Sequence, residues 1–161
     1  MPTPETHIAP LAKALGRIPA GLFLVTTKDE GGEHLGFVGS FIQQVGFEPP
    51  TVIVAIGKNR PHLDAARQGG FAISILDPES QHLMGMFFKK RPDGSSPFDE
   101  MRTKDAGHGL VFLDALAWID CEYAGEHETG DHVVVFGKVR TGEILRAGDS
   151  STHLRKNGLG Y

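Results

Sequence analysis

Short apolar runs separated by turn-forming residues recur along this chain at a spacing that leaves no room for a helix after each one. They are rich in β-branched and aromatic residues, as strands are. The runs lie at residues 21–27, 35–41, 51–56, 71–76, 118–123, 132–139 and 142–146. A parallel α/β sheet needs a crossover helix after nearly every strand. The spacing therefore predicts a mainly β fold, a β-barrel with inserted short helices.

Proline and glycine set the limits of the predicted helices. Residues 61–68 begin with a proline and end before two glycines, which is typical of a helix of about two turns. Residues 78–88 predict a second helix with Leu83 and Phe87 facing inward. Residues 89–97 are polar and predict an exposed excursion that could act as a lid.

Length and composition predict one domain over residues 1–161, with residues 1–10 as a loose N-terminal arm and a short helix at residues 11–15. With a net charge of −4, the chain as a whole is not attracted electrostatically to nucleic acid or to an anionic membrane. The single cysteine excludes a disulfide framework and fits a reducing compartment. With no signal-like or membrane-spanning run, we expect a cytoplasmic protein.

Glycines in residues 36–50 are the most informative local feature. Gly36, Gly39 and Gly46 lie in or beside predicted strands, where glycine gives up packing. One interpretation is that a flat ligand, such as an isoalloxazine ring, lies against the backbone there. The alternative is that these glycines mark barrel corners or bulges.

Polar residues beside these strands indicate where charged parts of a ligand could bind. Lys58, Asn59 and Arg60 precede a helix, whose N-terminus favours phosphate, although a solvated basic turn is the alternative. His132 follows Asp131 at a turn and could contact a cofactor or position a nicotinamide, although a structural role is the alternative.

The remaining metal-binding and nucleophilic residue types indicate no second chemistry. The eight histidines form no recognisable metal motif. Cys121 lies within a strand and is interpreted as a packed small residue.

Four blocks of sequence resemble the flavin reductase-like domain family, the FMN-binding split barrel of Greek-key type. They are residues 18–27, residues 36–50 with the closing Phe-Glu-Pro-Pro, residues 70–76 and residues 130–139, and the tail at residues 153–161 is also similar. The resemblance extends over nearly the whole chain from Leu15. It is strongest for the branch that includes the flavin reductase module of diflavin flavoproteins.

The resemblance implies FMN as cofactor, with FAD as the alternative, NAD(P)H as co-substrate, and a homodimer with flavin near the interface. It implies that His132 sits close to the nicotinamide. The implied cofactor-binding residues are Phe37, Val38, Gly39, Ser40, Phe41, Lys58, Asn59, Arg60, Ser74, Ile75 and Leu76. Many relatives carry hydroxyl residues where this chain has Val38 and Phe41, which affects hydrogen bonding to the flavin ring.

The leading functional hypothesis is an NAD(P)H-dependent FMN oxidoreductase that releases reduced flavin or passes electrons to a partner protein. A second hypothesis is a non-enzymatic flavin-binding or electron-relay protein with the same barrel. A third is a split-barrel oxidase or haem-binding relative.

Overall fold

A computed structural model describes residues 4–160 of the chain, with side chains described from residue 9 onward. The strands are β1 Phe23–Lys28, β2 His34–Gly39, β3 Ile42–Phe47, β4 Pro50–Gly57, β5 Gly70–Ile75, β6 Thr103–Asp105, β7 Leu110–Phe112, β8 Ala117–Glu128 and β9 His132–Ile144. The helices are α1 Pro4–Leu15, α2 Pro61–Gln68 and α3 Gly85–Phe88, with 3₁₀ turns at Gln81–Met84 and Pro97–Glu100.

Seven of the strands form one antiparallel sheet in the order β2-β1-β5-β8-β9-β4-β3. The pairings β1–β5 and β4–β9 join strands that are distant in sequence, as a Greek-key arrangement requires and a simple meander does not. Strands β2 and β3 follow each other in the chain but lie at opposite edges of this sheet. The predicted mainly β split barrel is confirmed.

The core lies inside the curved sheet because alternate residues of each strand point inward. In β4 the inward residues are Val52, Val54 and Ile56, each buried between half-buried neighbours. Phe37 of β2 and Ile42 of β3 both pack against this same core, although their strands are at opposite edges. The sheet therefore curls until its two edges share one apolar interior.

Helix α2 closes one end of the barrel. It begins at Pro61 and buries Leu63, Ala65 and Ala66, and Leu63 and Ala66 belong to the barrel core. The strand ends next to it are the end of β4 and the start of β5, which flank the helix in sequence. The opposite end of the barrel has no helix across it in the described part of the chain, and this end carries the cavity described below.

A second apolar cluster covers the outer face of β1 and β2. Phe112 stacks on Phe98 with ring centroids 6.0 Å apart and an interplanar angle of 14°. Leu24 and Leu76 are fully buried in this cluster, and Val38 packs against it. Residues 76–112 thus form a layer on the barrel that covers the outer face of β2, on which Val38 lies.

Several elements differ from the sequence-based expectation. Helix α1 begins at Pro4, so it includes much of the segment predicted as a loose arm, whose first three residues lie outside the described residues. The expected helix at residues 78–88 is a 3₁₀ turn followed by the short α3. Strand β9 runs on to Ile144 and absorbs most of the separate strand expected at residues 142–146.

The short hairpin β6–β7 and the edge strand β3 were not predicted. In β3 only Ile42 and Gly46 are shielded, and the strand has a bulge between Gln44 and Gly46. Polar residues on an exposed edge give no apolar alternation, so the usual strand signal is missing.

A buried ionic cluster fixes the chain that follows β9. Arg146 pairs with Asp77, and its Nη1 donates to the carbonyl oxygen of Asp114 at 2.7 Å. Burial raises the pKa of the Asp77 carboxyl, but hydrogen bonds from Ser80 and the ion pair with Arg146 outweigh this effect, so the net pKa is lowered. The carboxylate therefore stays ionised at neutral pH and holds residues 147–152 against the barrel end.

Gly137 provides a test of the barrel packing. A Cβ there would lie 2.5 Å from Cζ of Phe71 and 2.8 Å from Cβ of Cys121. We expect Gly137→Ala to lower the free energy of unfolding by about 1–3 kcal/mol through overpacking, as measured by urea denaturation. Gly130→Ala is the matched control, since nothing lies within 4 Å of its added Cβ. Equal stability of the two variants would contradict this account of the core.

Candidate functional site

A cavity of about 780 Å³ opens at the barrel end opposite α2. Its size lies within the range of small-molecule and cofactor sites. Its apolar wall consists mainly of barrel residues: Phe23, Ile42, Val52, Ile73, Ile75, Ile119 and Val139. Its polar groups are Ser40, Gln43, Gln44, Ser150, Ser151, Thr152 and Arg155. The cavity thus combines an apolar slot with a polar and cationic rim.

The cavity extends around the split edge of the barrel. Val52 of β4 points into the barrel, whereas Ile53 and Ala55 lie on the outer face of the same strand, and all three line the cavity. Ser40 and Phe41 form the corner between β2 and β3 and also line it. The space therefore runs from the open barrel end, past this corner, to the outer face of β4.

Phe41 lies where the cavity meets two basic groups. The Arg155 guanidinium carbon is 4.9 Å from the ring centroid, within the range of a cation–π contact. The His132 ring meets Phe41 edge-on, with centroids 5.5 Å apart. The Phe41 carbonyl oxygen accepts a hydrogen bond from the amide of Ala55 at 3.0 Å, which anchors the corner to β4.

His132 is oriented by its neighbour Asp131. Nδ1 of His132 lies 2.7 Å from Oδ1 of Asp131, and the hydrogen bond from the imidazole lowers the pKa of the Asp131 carboxyl. With Asp131 ionised at neutral pH, its carboxylate accepts this hydrogen bond and Nδ1 donates it.

The predicted cationic triplet lies beside His132. The Lys58 amide donates to the Asp131 carbonyl oxygen at 3.0 Å, and its ammonium group pairs with Glu128 at 3.2 Å. Arg60 occupies the N-cap position of α2 without a side-chain capping bond and is exposed, as is Asn59. These residues lie at a neighbouring corner and are not part of the cavity wall.

The structure brings only part of the predicted cofactor-binding set to the cavity. Ser40, Phe41 and Ile75 line it. Ser74 faces the opposite side of β5, where its buried Oγ accepts from the Phe112 amide at 3.0 Å. Leu76 is fully buried in the outer cluster. Of the three consecutive residues expected to close the pocket, strand alternation brings only Ile75 to it.

The three predicted residues before Ser40 also lie away from the cavity wall. Phe37 packs into the barrel core and edge-on against His62, with centroids 5.0 Å apart. Val38 packs outward against the second cluster. Gly39 faces inward, where a Cβ would meet Ile42, Phe37 and Val25 at 3.4 Å. These three residues support the corner from behind.

The glycines of this segment accommodate the protein's own groups. A Cβ at Gly36 would lie 2.7 Å from Phe87 and 3.0 Å from Phe98, so aromatic rings of the outer cluster cover this position. Gly46 lies at the β3 bulge. The alternative of corners and bulges therefore describes these glycines better than a ligand pressed against their backbone.

Sequence reasoning did not single out the polar end of the cavity. Residues 150–152 carry hydroxyl groups and Arg155 carries the charge, but the segment has no strand or helix pattern. The Ser151 amide donates to the Leu76 carbonyl oxygen at 2.9 Å, and Oγ of Ser151 accepts from Gln81 at 2.8 Å. Contacts distant in sequence therefore place these residues, and no local signal could have revealed them.

Other reactive groups contribute nothing to this site. Cys121 is fully buried, and burial raises the pKa of its thiol to about 12, which agrees with the packed role predicted for it. Among the described residues, no group of three or more His, Cys, Asp or Glu could hold a metal ion. None of the helices at residues 4–160 has the length and apolar character that a membrane crossing requires.

Comparison with known families gives one match that spans most of the chain. The model of the family described as "Flavin reductase like domain" matches residues 15–158. A relative, diflavin flavoprotein A 1 of Synechocystis sp., is 37% identical over 157 residues, which cover 94% of this chain but 27% of that protein. The chain thus spans about a quarter of the length of this curated relative.

Solved structures share the fold. The nitrilotriacetate monooxygenase component B homologue from Mycobacterium thermoresistibile has a TM-score of 0.81 and 26% identity, covering 94% of this chain and 85% of that one. The flavin reductase PheA2 has a TM-score of 0.76 and 25% identity, covering 89% and 91% of the two chains.

Proposed function

Because the chain belongs to the flavin reductase-like domain family, we propose that it binds FMN and catalyses its reduction by NAD(P)H. The observation that carries the proposal is the cavity of about 780 Å³, in which an apolar barrel wall meets hydroxyl groups and an arginine. A flavin mononucleotide likewise combines a flat, largely apolar ring with a hydroxyl-bearing ribityl chain, and its phosphate lies farther out, at the end of that chain. We assign this role to one domain, residues 1–161, acting in the cytoplasm.

The apolar side chains around the β2–β3 corner suit the isoalloxazine ring. Ile42, Ile53 and Ala55 line this part of the cavity next to Phe41. These side chains exclude water from one part of the isoalloxazine ring and hold the ring in place. Backbone groups at Ser40 can form hydrogen bonds with the polar edge of the ring. A bound flavin supplies the redox chemistry itself, since its ring accepts a hydride, two electrons and a proton, from the nicotinamide. FMN fits this space, and FAD is the alternative.

Lys58, Asn59 and Arg60 are the residues that we propose for the FMN phosphate. They precede α2, whose first amides and dipole favour an anion. Arg60 adds a guanidinium that takes part in no ion pair with any side chain described. Phe41 links this corner to the cavity through its contact with His132.

His132 is the residue that we propose to orient the nicotinamide. Its Nδ1 is held by Asp131, so the ring presents a defined edge. Its contact with Phe41 puts it beside the cavity and not within the barrel core. Val38 packs outward and Phe41 has no hydroxyl, so neither side chain supplies the hydrogen bonds that hydroxyl residues give at these positions in many relatives.

A homodimer and a redox partner complete the proposal. Phe47 is 87% exposed and Ile144 is 77% exposed, and we propose that the dimer interface covers these apolar side chains. Diflavin relatives are much longer than this chain, and we propose that a partner protein or domain accepts the electrons.

Anaerobic spectroscopy tests the activity directly. We expect protein loaded with FMN to be yellow and to bleach when NADH or NADPH is added without oxygen. A yellow protein that ignores both nicotinamides would favour the non-enzymatic electron-relay alternative. A Soret band, or no flavin binding at all, would contradict the proposal.

The phosphate assignment predicts a selective loss of affinity. We expect Lys58→Ala/Arg60→Ala to weaken FMN binding by about 10- to 100-fold, which corresponds to about 1.4–2.7 kcal/mol for the two exposed cations together. Riboflavin lacks the phosphate, so its affinity should change less than about threefold. Flavin fluorescence quenching measures both, with Lys90→Ala as the control for loss of a cation elsewhere. Equal losses for FMN and riboflavin would remove the assignment.

The proposed role of His132 predicts a kinetic effect without loss of flavin. We expect His132→Asn to slow flavin reduction by about 10- to 100-fold because the nicotinamide is misplaced. Anaerobic stopped-flow absorbance measures the rate, and FMN titration checks binding. His127→Asn is the matched control, because His127 is exposed on β8 directly before the turn of the same hairpin, where it pairs with Val134. An unchanged rate in His132→Asn would show that this residue is structural.

A further inference from the structure

A second recess, of about 460 Å³, lies between the C-terminal end of α1 and the C-terminal tail. It is lined by Lys13, Ala14, Arg17 and Lys156. Three of its four lining residues are therefore cations. The chain as a whole carries a net charge of −4, so this recess has a local potential opposite to that of the molecule.

No acidic side chain that the structure describes neutralises the charges of the recess. None of the three cationic side chains takes part in an ion pair with a side chain that the structure describes. Lys13 and Arg17 lie four residues apart around the end of α1, where like charges repel. The helix dipole favours one cation at this end, but it does not explain Lys156, which the tail brings to the same place. Such convergence of cations favours binding of an anion from solution.

The recess is firmly built. Nη2 of Arg17 donates to the Arg155 carbonyl oxygen at 3.1 Å, and the Gly158 amide donates to the Ala12 carbonyl oxygen at 2.8 Å. A Cβ at Gly16 would lie 2.1 Å from the Arg155 carbonyl oxygen. The tail therefore packs directly on the end of α1, and only glycine permits this approach.

The recess adjoins the main cavity. Arg17 lines the recess and Ile18 lines the cavity, and Lys156 lines the recess while Arg155 lines the cavity. The two spaces are therefore lined by adjacent residues of the same two chain segments. We expect a long ligand with one end in the cavity to reach the cations of the recess along these segments, past Arg155.

We propose that the recess binds the 2′-phosphate of NADPH and makes the protein prefer NADPH over NADH. The inference rests on the proposed function, since it assumes that a nicotinamide enters the adjoining cavity. A 2′-phosphate is a terminal monoester that carries close to two negative charges at neutral pH, and three cations complement it. NADH differs from NADPH only by lacking this group.

Equilibrium binding of nucleotide fragments tests the recess without flavin or turnover. Isothermal titration of the full chain with adenosine 2′,5′-bisphosphate and with 5′-AMP isolates the contribution of the 2′-phosphate. We expect the bisphosphate to bind at least about tenfold more tightly, and Lys13→Ala/Lys156→Ala to reduce that advantage by about tenfold or more. Lys90→Ala should keep the advantage, and Lys13→Arg/Lys156→Arg should restore it, which also shows that loss of folding is not the cause.

The possible outcomes separate the recess from the flavin chemistry. Equal affinity for the two fragments, or an advantage that survives loss of both lysines, overturns the inference. The lysine variants could instead weaken FAD binding while leaving both the bisphosphate advantage and the NADPH/NADH ratio of kcat/KM unchanged. In that case the recess binds the adenylate of FAD and the inference is wrong. If the lysines control bisphosphate binding but neither nicotinamide reduces the flavin, the recess assignment stands and the proposed function fails.

Discussion

The structure depends on apolar packing across a gap that backbone hydrogen bonds do not close. Strands β2 and β3 are the two edges of the sheet, so no ladder joins them. Phe37 from one edge and Ile42 from the other pack into the same core. The short connection at Ser40 and Phe41 is therefore stretched across the split, and its side chains line the cavity. If backbone hydrogen bonds joined β2 to β3, the paired strands would occupy the position where the cavity begins.

The polar end of the site depends on a different kind of constraint. Residues 147–152 have no regular structure, yet they are held against the barrel by the ion pair of Arg146 with Asp77 and by the amide of Ser151. Farther on, residues 153–160 pack on the end of α1, and Ala20 pairs with His153. The last part of the chain therefore completes a site whose apolar wall is formed mainly by residues before 120. Charge and hydrogen bonding position this segment, whereas apolar burial positions the wall.

What could be predicted from the sequence follows from this division. The apolar, β-branched run of β4 and the proline and glycine limits of α2 are local signals, and both elements were predicted within a residue or two. Strand β3 was missed because Gln43 and Gln44 face solvent on an edge. Of the residues predicted to bind the cofactor, Ser40, Phe41 and Ile75 line the cavity. Ser74 and Leu76 were placed with Ile75 because contiguous sequence blocks do not reveal which face of a strand each residue occupies. Arg155 was missed because only tertiary contacts bring the tail to the barrel mouth.

The burial of Cys121 has a practical consequence. It is the only cysteine of the chain, it lies inside the barrel, and its thiol stays protonated at any ordinary working pH. Because the thiolate is the nucleophile in alkylation and oxidation, the folded protein is chemically silent toward thiol reagents. A cysteine introduced at a chosen surface position is then the one that a fluorophore or spin label modifies, and its labelling does not require removal of the natural residue first.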